Sequence, residues 1–276
     1  MSSSDPIPHA FAASVLVARH STGREPEMRD DLVAVEEPLE IRVNGQPFAV
    51  IMRTPGHDLE LSAGYLLSEG IVSQRRQIVR IGPCLARAGG EIENVVAVEL
   101  TEIDARKLRT LARHSAVGSS CGTCGKTSIE QVHQNFPALA ALPPAVTIAL
   151  LQSFPARLAE HQAVFRATGG LHGAALFRDD GTLVKVREDV GRHNAVDKVL
   201  GWALLNDALP LVGTVLFVSG RISFEIVQKA LAARITVMAG ISAPTSLAVE
   251  FARASGQTLV GFVRDGRANV YAGTLR

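Results

Sequence analysis

The sequence predicts a mixed fold, in which a smaller N-terminal α+β domain precedes a C-terminal three-layer α/β/α domain. Two observations support this prediction. In the second half, apolar runs of strand length alternate with helical patterns, which is typical of a sheet covered by helices on both faces. In the first half, two strand patterns flank Asn44 and Gly45, a dipeptide that favours a tight hairpin turn.

The first half is predicted to start with a flexible tail over residues 1–13 and a strand over 14–19. The hairpin follows, with strands over 39–43 and 47–53. Asn44 and Gly45 both accept the positive φ of a type I′ turn, so this hairpin is the firmest local prediction.

A helix is predicted over residues 58–68, with Gly70 as a left-handed cap. Its buried face is expected to carry four apolar residues at helical spacing and to cover the hairpin: Leu59, Ala63, Leu66 and Leu67. Further along the chain, strands are predicted near 78–81 and 95–100, and a helix over 104–114.

The cysteine-containing stretch, residues 119–127, reads SSCGTCGKT and follows a small, breaker-rich loop. Thr127 and Glu130 match a capping box, which predicts a short helix over 127–135 just after the cysteines. We therefore expect an N-terminal domain over 14–136, a linker over 137–146 and a C-terminal domain over 147–276.

The second half is predicted to be a largely parallel sheet with helices on its faces. The predicted strands are 172–177, 183–186, 215–219, 235–239 and 259–263, and the predicted helices are 148–165, 195–205, 224–232 and 246–254. Such sheets bind ligands at the carboxyl ends of their strands, which here carry residues 219–221 and 239–240.

The composition is that of a protein with a substantial core, since 47% of the 276 residues are hydrophobic and 20% are charged. The 28 basic and 27 acidic residues nearly cancel, so no broad field indicates nucleic acid or an anionic membrane as a partner. The chain begins without a secretory pattern and has no apolar run of membrane-spanning length, which predicts a cytoplasmic protein. Three cysteines cannot form a disulfide framework.

Cys121 and Cys124 are the candidate reactive residues, because only a thiolate attacks sulfur or binds metal. The residues alone leave three interpretations: a reactive pair, a redox pair and half of a metal site. A phosphate loop ending at Gly125, Lys126 and Thr127 fails, because the glycine required at position 120 is serine.

A structural zinc site would need two more ligands, and the candidates are Cys84, His114 and His133. No second close pair of ligands exists, which weakens this hypothesis without removing it. A dithiol–disulfide oxidoreductase also remains open.

Two polar segments have competing interpretations. Arg192, His193 and Asn194 stand at a helix start, where they either cap the helix among solvated charges or bind an anion. In residues 264–267, Asp265 and Gly266 suggest a hairpin turn, while the flanking arginines are suited to clamping phosphate oxygens.

Several separated segments together resemble the FdhD family, whose members are sulfur carriers required for formate dehydrogenase activity. The matching segments are EEPLEIRVNG (36–45), MRTPG (52–56), SEG (68–70), SSCGTCGK (119–126), TGGLH (168–172), VREDVGRHNAVDK (186–198), SGR (219–221) and GFVRDGR (261–267). The resemblance extends from about residue 36 to residue 271.

The resemblance implies a sulfurtransferase that receives persulfide sulfur from a cysteine desulfurase and passes it to a molybdenum cofactor carrying guanine dinucleotides, for use by formate dehydrogenase. It implies that Cys121 carries the persulfide, that Cys124 assists, and that no metal is permanently bound. It also implies a homodimer and a C-terminal domain like that of cytidine deaminase. The family's guanine-dinucleotide contact maps onto Phe262, Val263, Arg264, Asp265, Gly266 and Arg267.

Overall fold

The computed structural model describes residues 11–85, 90–101, 136–140 and 146–276. The cysteine-containing stretch and the predicted helices over 104–114 and 127–135 lie outside these residues. Within the described ranges, no helix has both the length and the apolar character needed to cross a membrane.

The first half contains a two-stranded ribbon and a four-stranded sheet. The ribbon pairs β1 (Ala12–Arg19) with β2 (Glu27–Ala34). The sheet has the order β4-β3-β6-β5, formed by β3 (Glu37–Val43), β4 (Gln46–Arg53), β5 (Ile78–Leu85) and β6 (Glu91–Leu100). A 3₁₀ turn over Arg75–Gln77 precedes β5. The predicted hairpin is confirmed, because Asn44 and Gly45 have φ of 48° and 77° between β3 and β4.

The second half contains a six-stranded sheet with the order β12-β11-β10-β9-β7-β8. Its strands are β7 (His172–Arg178), β8 (Leu183–Asp189), β9 (Thr214–Val218), β10 (Val237–Gly240), β11 (Thr258–Arg264) and β12 (Arg267–Ala272). The predicted strands and helices of this half are present, but the helical stretch predicted over 148–165 is two helices, Ile148–Glu160 and Ala163–Thr168, and β12 was not predicted.

The expectation of a largely parallel sheet was wrong, because only β9, β10 and β11 run parallel to one another. The pairs β7–β8, β7–β9 and β11–β12 are antiparallel. For the pairs β7–β8 and β11–β12, the physical reason is the length of the connection, because each pair is joined by a short turn and a short turn reverses the chain.

Helices cover both faces of the six-stranded sheet, as the three-layer prediction requires. One face packs on α2 (Ile148–Glu160) through a cluster that stacks Phe154 on Phe177, and α3 (Ala163–Thr168) follows α2. The other face packs on α4 (Arg192–Leu205), α5 (Phe224–Ala232) and α6 (Ser246–Ser255).

The helix α1 (Asp58–Ser68) lies between the four-stranded sheet and α4. Tyr65 contacts Phe48 of the hairpin edge to face, as expected for a helix that covers the hairpin. Leu59, predicted to be on the buried face, is instead 36% exposed. Leu61 is buried in the core instead, because the side of α1 that faces α4 is buried as well as the side that faces the hairpin.

The contact between α1 and α4 depends on two glycines. A Cβ atom on Gly64 would lie 1.8 Å from the carbonyl oxygen of Asp197, and one on Gly201 would lie 1.7 Å from that of Glu60. Only glycine allows the two backbones to approach this closely. One continuous core cluster therefore contains residues of both halves, including Leu39, Leu66 and Leu200.

Candidate functional site

The predicted site residues fall into two groups with different outcomes. Cys121 and Cys124 lie outside the described residues, but residue 101 before that gap and residues 136–140 after it are described. At one end, the amide of Thr101 donates to the carbonyl of Gln77 (3.0 Å). At the other end, the guanidinium of Arg234 donates to the carbonyls of Pro137 and Ala138.

The third cysteine, Cys84, lies half-buried on β5, and its Sγ is 3.8 Å from the Arg42 guanidinium. No cluster of three or more His, Cys, Asp or Glu side chains suited to a metal ion occurs in the described ranges. The other two candidate zinc ligands, His114 and His133, lie outside those ranges.

Phe262, Val263, Arg264, Asp265, Gly266 and Arg267 form the hairpin between β11 and β12. Asp265 and Gly266 have φ of 52° and 70°, so the predicted hairpin turn is confirmed. The Arg264 guanidinium lies 5.6 Å from the centre of the Phe262 ring, a cation–π distance. From α2, the Gln152 side-chain amide donates to the Gly266 carbonyl (2.7 Å) and holds the turn against the domain.

Phe262 has an unusual backbone conformation, with a φ of +53° at a bulge in the β11–β12 pairing. Its amide donates to the Ser242 carbonyl (3.1 Å), and the neighbouring Gly261 is so close to Pro244 that a Cβ atom would lie 2.8 Å from the proline ring. A bulky residue at positive φ costs about 1–3 kcal/mol and persists only where its surroundings enforce it. The loop after β10 therefore sets the orientation of the half-exposed Phe262 ring.

The carboxyl ends of β9 and β10 lie beside this bulge. The loop after β10 is tied to the segment after β9, because the amide of Ile222 donates to the Ala243 carbonyl (3.0 Å) and that of Thr245 to the Ile222 carbonyl (3.0 Å). Through Ser242, the same loop reaches Phe262. The sheet edge where the sequence placed a ligand thus borders the predicted nucleotide contact.

Ser219 joins this edge to β7. Its amide donates to the Gly173 carbonyl (2.9 Å), and its hydroxyl accepts from the Gly173 amide (2.9 Å). The next residue, Gly220, lies against His172 and Arg192. Sequence reasoning did not group His172 with Arg192 and Arg221, because only the folded sheet brings the ends of β7 and β9 to the start of α4.

The motif over 186–198 is a buried polar network, so the interpretation of its charges as solvated was wrong. Asp189 is fully buried and forms an ion pair with Lys198 (2.7 Å). Its carboxylate also accepts from the Thr54 amide (3.2 Å), the Gly191 amide (2.8 Å) and the Asn194 side chain (2.8 Å). A buried carboxylate needs such partners, and Thr54 supplies one from the first half.

Other members of the motif make similar connections between the two halves. Arg187 pairs with Glu60 of α1 through two hydrogen bonds of 2.5 and 2.7 Å. Asp197 pairs with Lys229 of α5 (2.7 Å) and accepts from the Ser68 hydroxyl of α1 (2.9 Å). Burial raises the pKa of the Asp197 carboxyl, and Lys229 opposes that rise.

Arg192, His193 and Asn194 therefore differ in role. Asn194 is structural, because its side-chain amide also donates to the Met52 carbonyl (2.8 Å). His193 is buried, with its Nε2 3.3 Å from the Ser223 hydroxyl. The Nε atom of Arg192 is buried without a hydrogen-bond partner in the described structure.

Comparison with known proteins finds a matching family model, named relatives and a similar solved structure. The model of the FdhD/NarQ family matches residues 34–276. Proteins named Sulfur carrier protein FdhD are 51% identical in Streptomyces coelicolor (90% of this chain, 89% of the relative) and 48% identical in Mycobacterium tuberculosis (95% and 97%). A crystal structure from Desulfotalea psychrophila, provisionally described as a formate dehydrogenase accessory protein, superposes with a TM-score of 0.72 at 26% identity (95% of this chain, 97% of that one).

Proposed function

The chain belongs to the FdhD/NarQ family, and from this premise we propose that it is a sulfur carrier in the maturation of formate dehydrogenase. The main support is the length of the match: relatives named as sulfur carriers align with about nine-tenths of the chain at about half identity. The segment they share includes the only two cysteines that are close together in the sequence.

In the proposed reaction, Cys121 carries sulfur as a persulfide. The Cys121 thiolate attacks the outer, zero-valent sulfur of a persulfide on a cysteine desulfurase. The S–S bond of the desulfurase breaks, its cysteine leaves as a thiolate, and one new S–S bond forms on Cys121, so no external oxidant is needed. Attack of the Cys124 thiolate on the inner sulfur then forms the Cys121–Cys124 disulfide and releases the outer sulfur as sulfide. Two electrons from the thiols reduce that sulfur, and an external thiol reductant restores the dithiol.

The proposed acceptor is a molybdenum cofactor of the bis(molybdopterin guanine dinucleotide) type, bound as a substrate. Phe262, Val263, Arg264, Asp265, Gly266 and Arg267 would hold a guanine nucleotide end of it. Their chemistry fits, because a half-exposed aromatic ring offers a face for a purine and the exposed Arg264 and Arg267 offer charge to phosphates. The enforced conformation of Phe262 is consistent with a binding role.

This proposal classifies the protein as a sulfurtransferase that acts as a homodimer. Its partners would be a cysteine desulfurase, which supplies the sulfur, and formate dehydrogenase, which receives the matured cofactor. The reaction would take place in the cytoplasm, where a reducing thiol pool keeps cysteines available as thiols.

Sulfur loading tests the proposal. The full-length protein is incubated with a cysteine desulfurase and sulfur-labelled cysteine, and we expect a covalent label that reductant removes. Cys121→Ala should abolish the label. The matched control is Cys84→Ala, because Cys84 lies on β5 and is not part of the close cysteine pair in the sequence, so its loss should leave the label unchanged. Undiminished labelling of Cys121→Ala would refute the assignment, as would dithiol turnover without any sulfur transfer.

A further inference from the structure

We propose that a basic groove between the two halves of the chain docks an acidic segment of the protein that supplies the sulfur. The groove has a volume of about 450 Å³ and is bordered by Arg75 and Arg76 of the 3₁₀ turn, by the loop after α4 and by Arg234 after α5. The identity of the partner as the sulfur donor rests on the proposed function. The preference for an acidic protein segment rests on the groove itself.

The basic groove carries an excess of positive charge. It is lined by three arginines and one acidic residue: Arg75, Arg76, Arg234 and Asp207. Arg75 donates to the Ile78 carbonyl (2.5 Å) and Arg234 donates to two backbone carbonyls, which hold the guanidinium groups without cancelling their charge. None of the three pairs with a carboxylate in the described ranges. A guanidinium in this state is suited to binding a carboxylate of another molecule.

Arg76 is the most available of these charges. Its side chain is exposed and makes no hydrogen bond or ion pair with the parts of the chain that the structure describes. The groove also has an apolar lining, to which Leu204, Leu209 and Pro210 contribute. A segment that combines carboxylates with an apolar side chain would use both kinds of surface, whereas a simple anion would use only the arginines. Clusters of arginine recognise acidic motifs in this way in other proteins.

The walls of the basic groove are held in place by hydrogen bonds. In the second half, the amide of Leu211 donates to the Ala233 carbonyl (2.9 Å) and joins the loop after α4 to the end of α5. In the first half, the side-chain oxygen of Gln77 accepts from the amides of Ser73 (2.6 Å) and Gln74 (3.0 Å) and fixes the 3₁₀ turn. A preformed groove binds a partner without the cost of ordering its own walls.

The basic groove lies beside both described ends of the cysteine-containing stretch. The amide of Thr101, the last described residue before that stretch, donates to the Gln77 carbonyl of the 3₁₀ turn (3.0 Å). After the stretch, the carbonyls of Pro137 and Ala138 accept from Arg234, which lines the groove. A protein docked in the groove is therefore held next to the two points where the described chain joins the stretch that carries the thiols.

The position of the groove in the sheet favours the sulfur donor over the sulfur acceptor as its occupant. The loop with Pro210 precedes β9 and Arg234 precedes β10, so the groove borders the amino ends of these parallel strands. The proposed nucleotide contact over 262–267 lies instead at the carboxyl end of β11, which is parallel to β10. The acceptor thus has a surface of its own, and the groove is left for a different partner.

Binding and sulfur loading with a purified cysteine desulfurase test this proposal on the full-length protein. Isothermal titration calorimetry gives the Kd, and labelled cysteine gives the initial rate of loading at a desulfurase concentration below the Kd. We expect Arg76→Glu to raise the Kd about tenfold or more, which corresponds to about 1.4 kcal/mol, and to slow loading by a similar factor. Added salt should weaken binding more in the wild type than in Arg76→Glu, because the variant has lost a charge contact.

Two matched variants show whether the effect belongs to the groove. Arg24→Glu makes the same change at an exposed arginine in the turn between β1 and β2, and it should alter neither the Kd nor the loading rate. Asp207→Asn removes the acidic residue of the groove lining, at an exposed position, and should lower the Kd about twofold or more. Thermal unfolding of each variant shows that it folds.

Loading from inorganic polysulfide separates docking from the reactivity of Cys121, because this donor gives up a zero-valent sulfur without a protein contact. Arg76→Glu should load from polysulfide at the wild-type rate, and an equal slowing with both donors would overturn the proposal. No desulfurase binding by the wild type, an unchanged Kd in Arg76→Glu, or an equal loss in Arg24→Glu would also overturn it.

The same samples distinguish this proposal from the proposed function. Desulfurase binding that depends on Arg76, without sulfur loading of Cys121 from either donor, would refute the sulfur-carrier function and leave the docking groove standing. Full loading of the wild type that Arg76→Glu retains, with an equal Kd and an equal rate, would refute the docking groove alone.

Discussion

Replacing Gly64 with alanine tests whether the two halves of the chain form one structural unit. In an isolated helix this change is favourable by about 1 kcal/mol, because alanine has the higher helix propensity. In this protein the new Cβ would lie 1.8 Å from the Asp197 carbonyl oxygen, whereas ordinary contacts begin at 3.4 Å. The helices α1 and α4 would have to separate locally by about 1.6 Å.

We expect Gly64→Ala to lower the free energy of unfolding by about 2 kcal/mol or more, since the cost of overpacking exceeds the gain in propensity. Urea denaturation followed by circular dichroism measures this change. The matched control is Gly82→Ala on β5, where a Cβ would meet no atom within 4 Å and φ is not positive. Its free energy of unfolding should stay within about 0.5 kcal/mol of the wild type.

A Gly64→Ala protein that is as stable as the wild type, or more stable, would refute the close approach of α1 and α4. Separate urea transitions for the two halves in the wild type would also contradict a shared core, because one continuous apolar cluster should unfold cooperatively.

A further prediction concerns a buried ion pair. Lys229→Met should lower the free energy of unfolding by about 3–5 kcal/mol near neutral pH, because it leaves the buried Asp197 carboxylate unpaired. Burial raises the pKa of Asp197, so this deficit, measured by urea denaturation across pH, should shrink as pH falls and the carboxyl takes up a proton; a constant deficit would contradict the reasoning.

Local patterns predicted most of the secondary structure. The hairpin at Asn44 and Gly45 and the turn at Asp265 and Gly266 depend on dipeptides that tolerate positive φ, so both could be recognised without tertiary information. The buried strands of the second half were equally visible as apolar runs. The strand β2 was missed, because its EMRDD stretch is charged and lacks an apolar alternation.

Long-range contacts could not be predicted in the same way. The hydrogen bond from the Thr54 amide to the Asp189 carboxylate joins residues 135 positions apart, and no local sequence pattern predicts such a partner. The sequence therefore left open whether the charges of the 186–198 motif are solvated, although the motif is largely buried. The close pair of cysteines was visible because its members are neighbours along the chain, whereas His172, Arg192 and Arg221 meet only after the sheet has formed.

The position of the transferred sulfur tests the central claim most directly. The full-length protein is treated with a cysteine desulfurase and cysteine, and its peptides are then analysed by mass spectrometry without reduction. The sulfur-carrier account predicts one additional sulfur atom on the peptide that contains Cys121, lost after treatment with reductant, and none on the peptide that contains Cys84. A protein that gains no sulfur, or gains it at Cys84, would contradict the account.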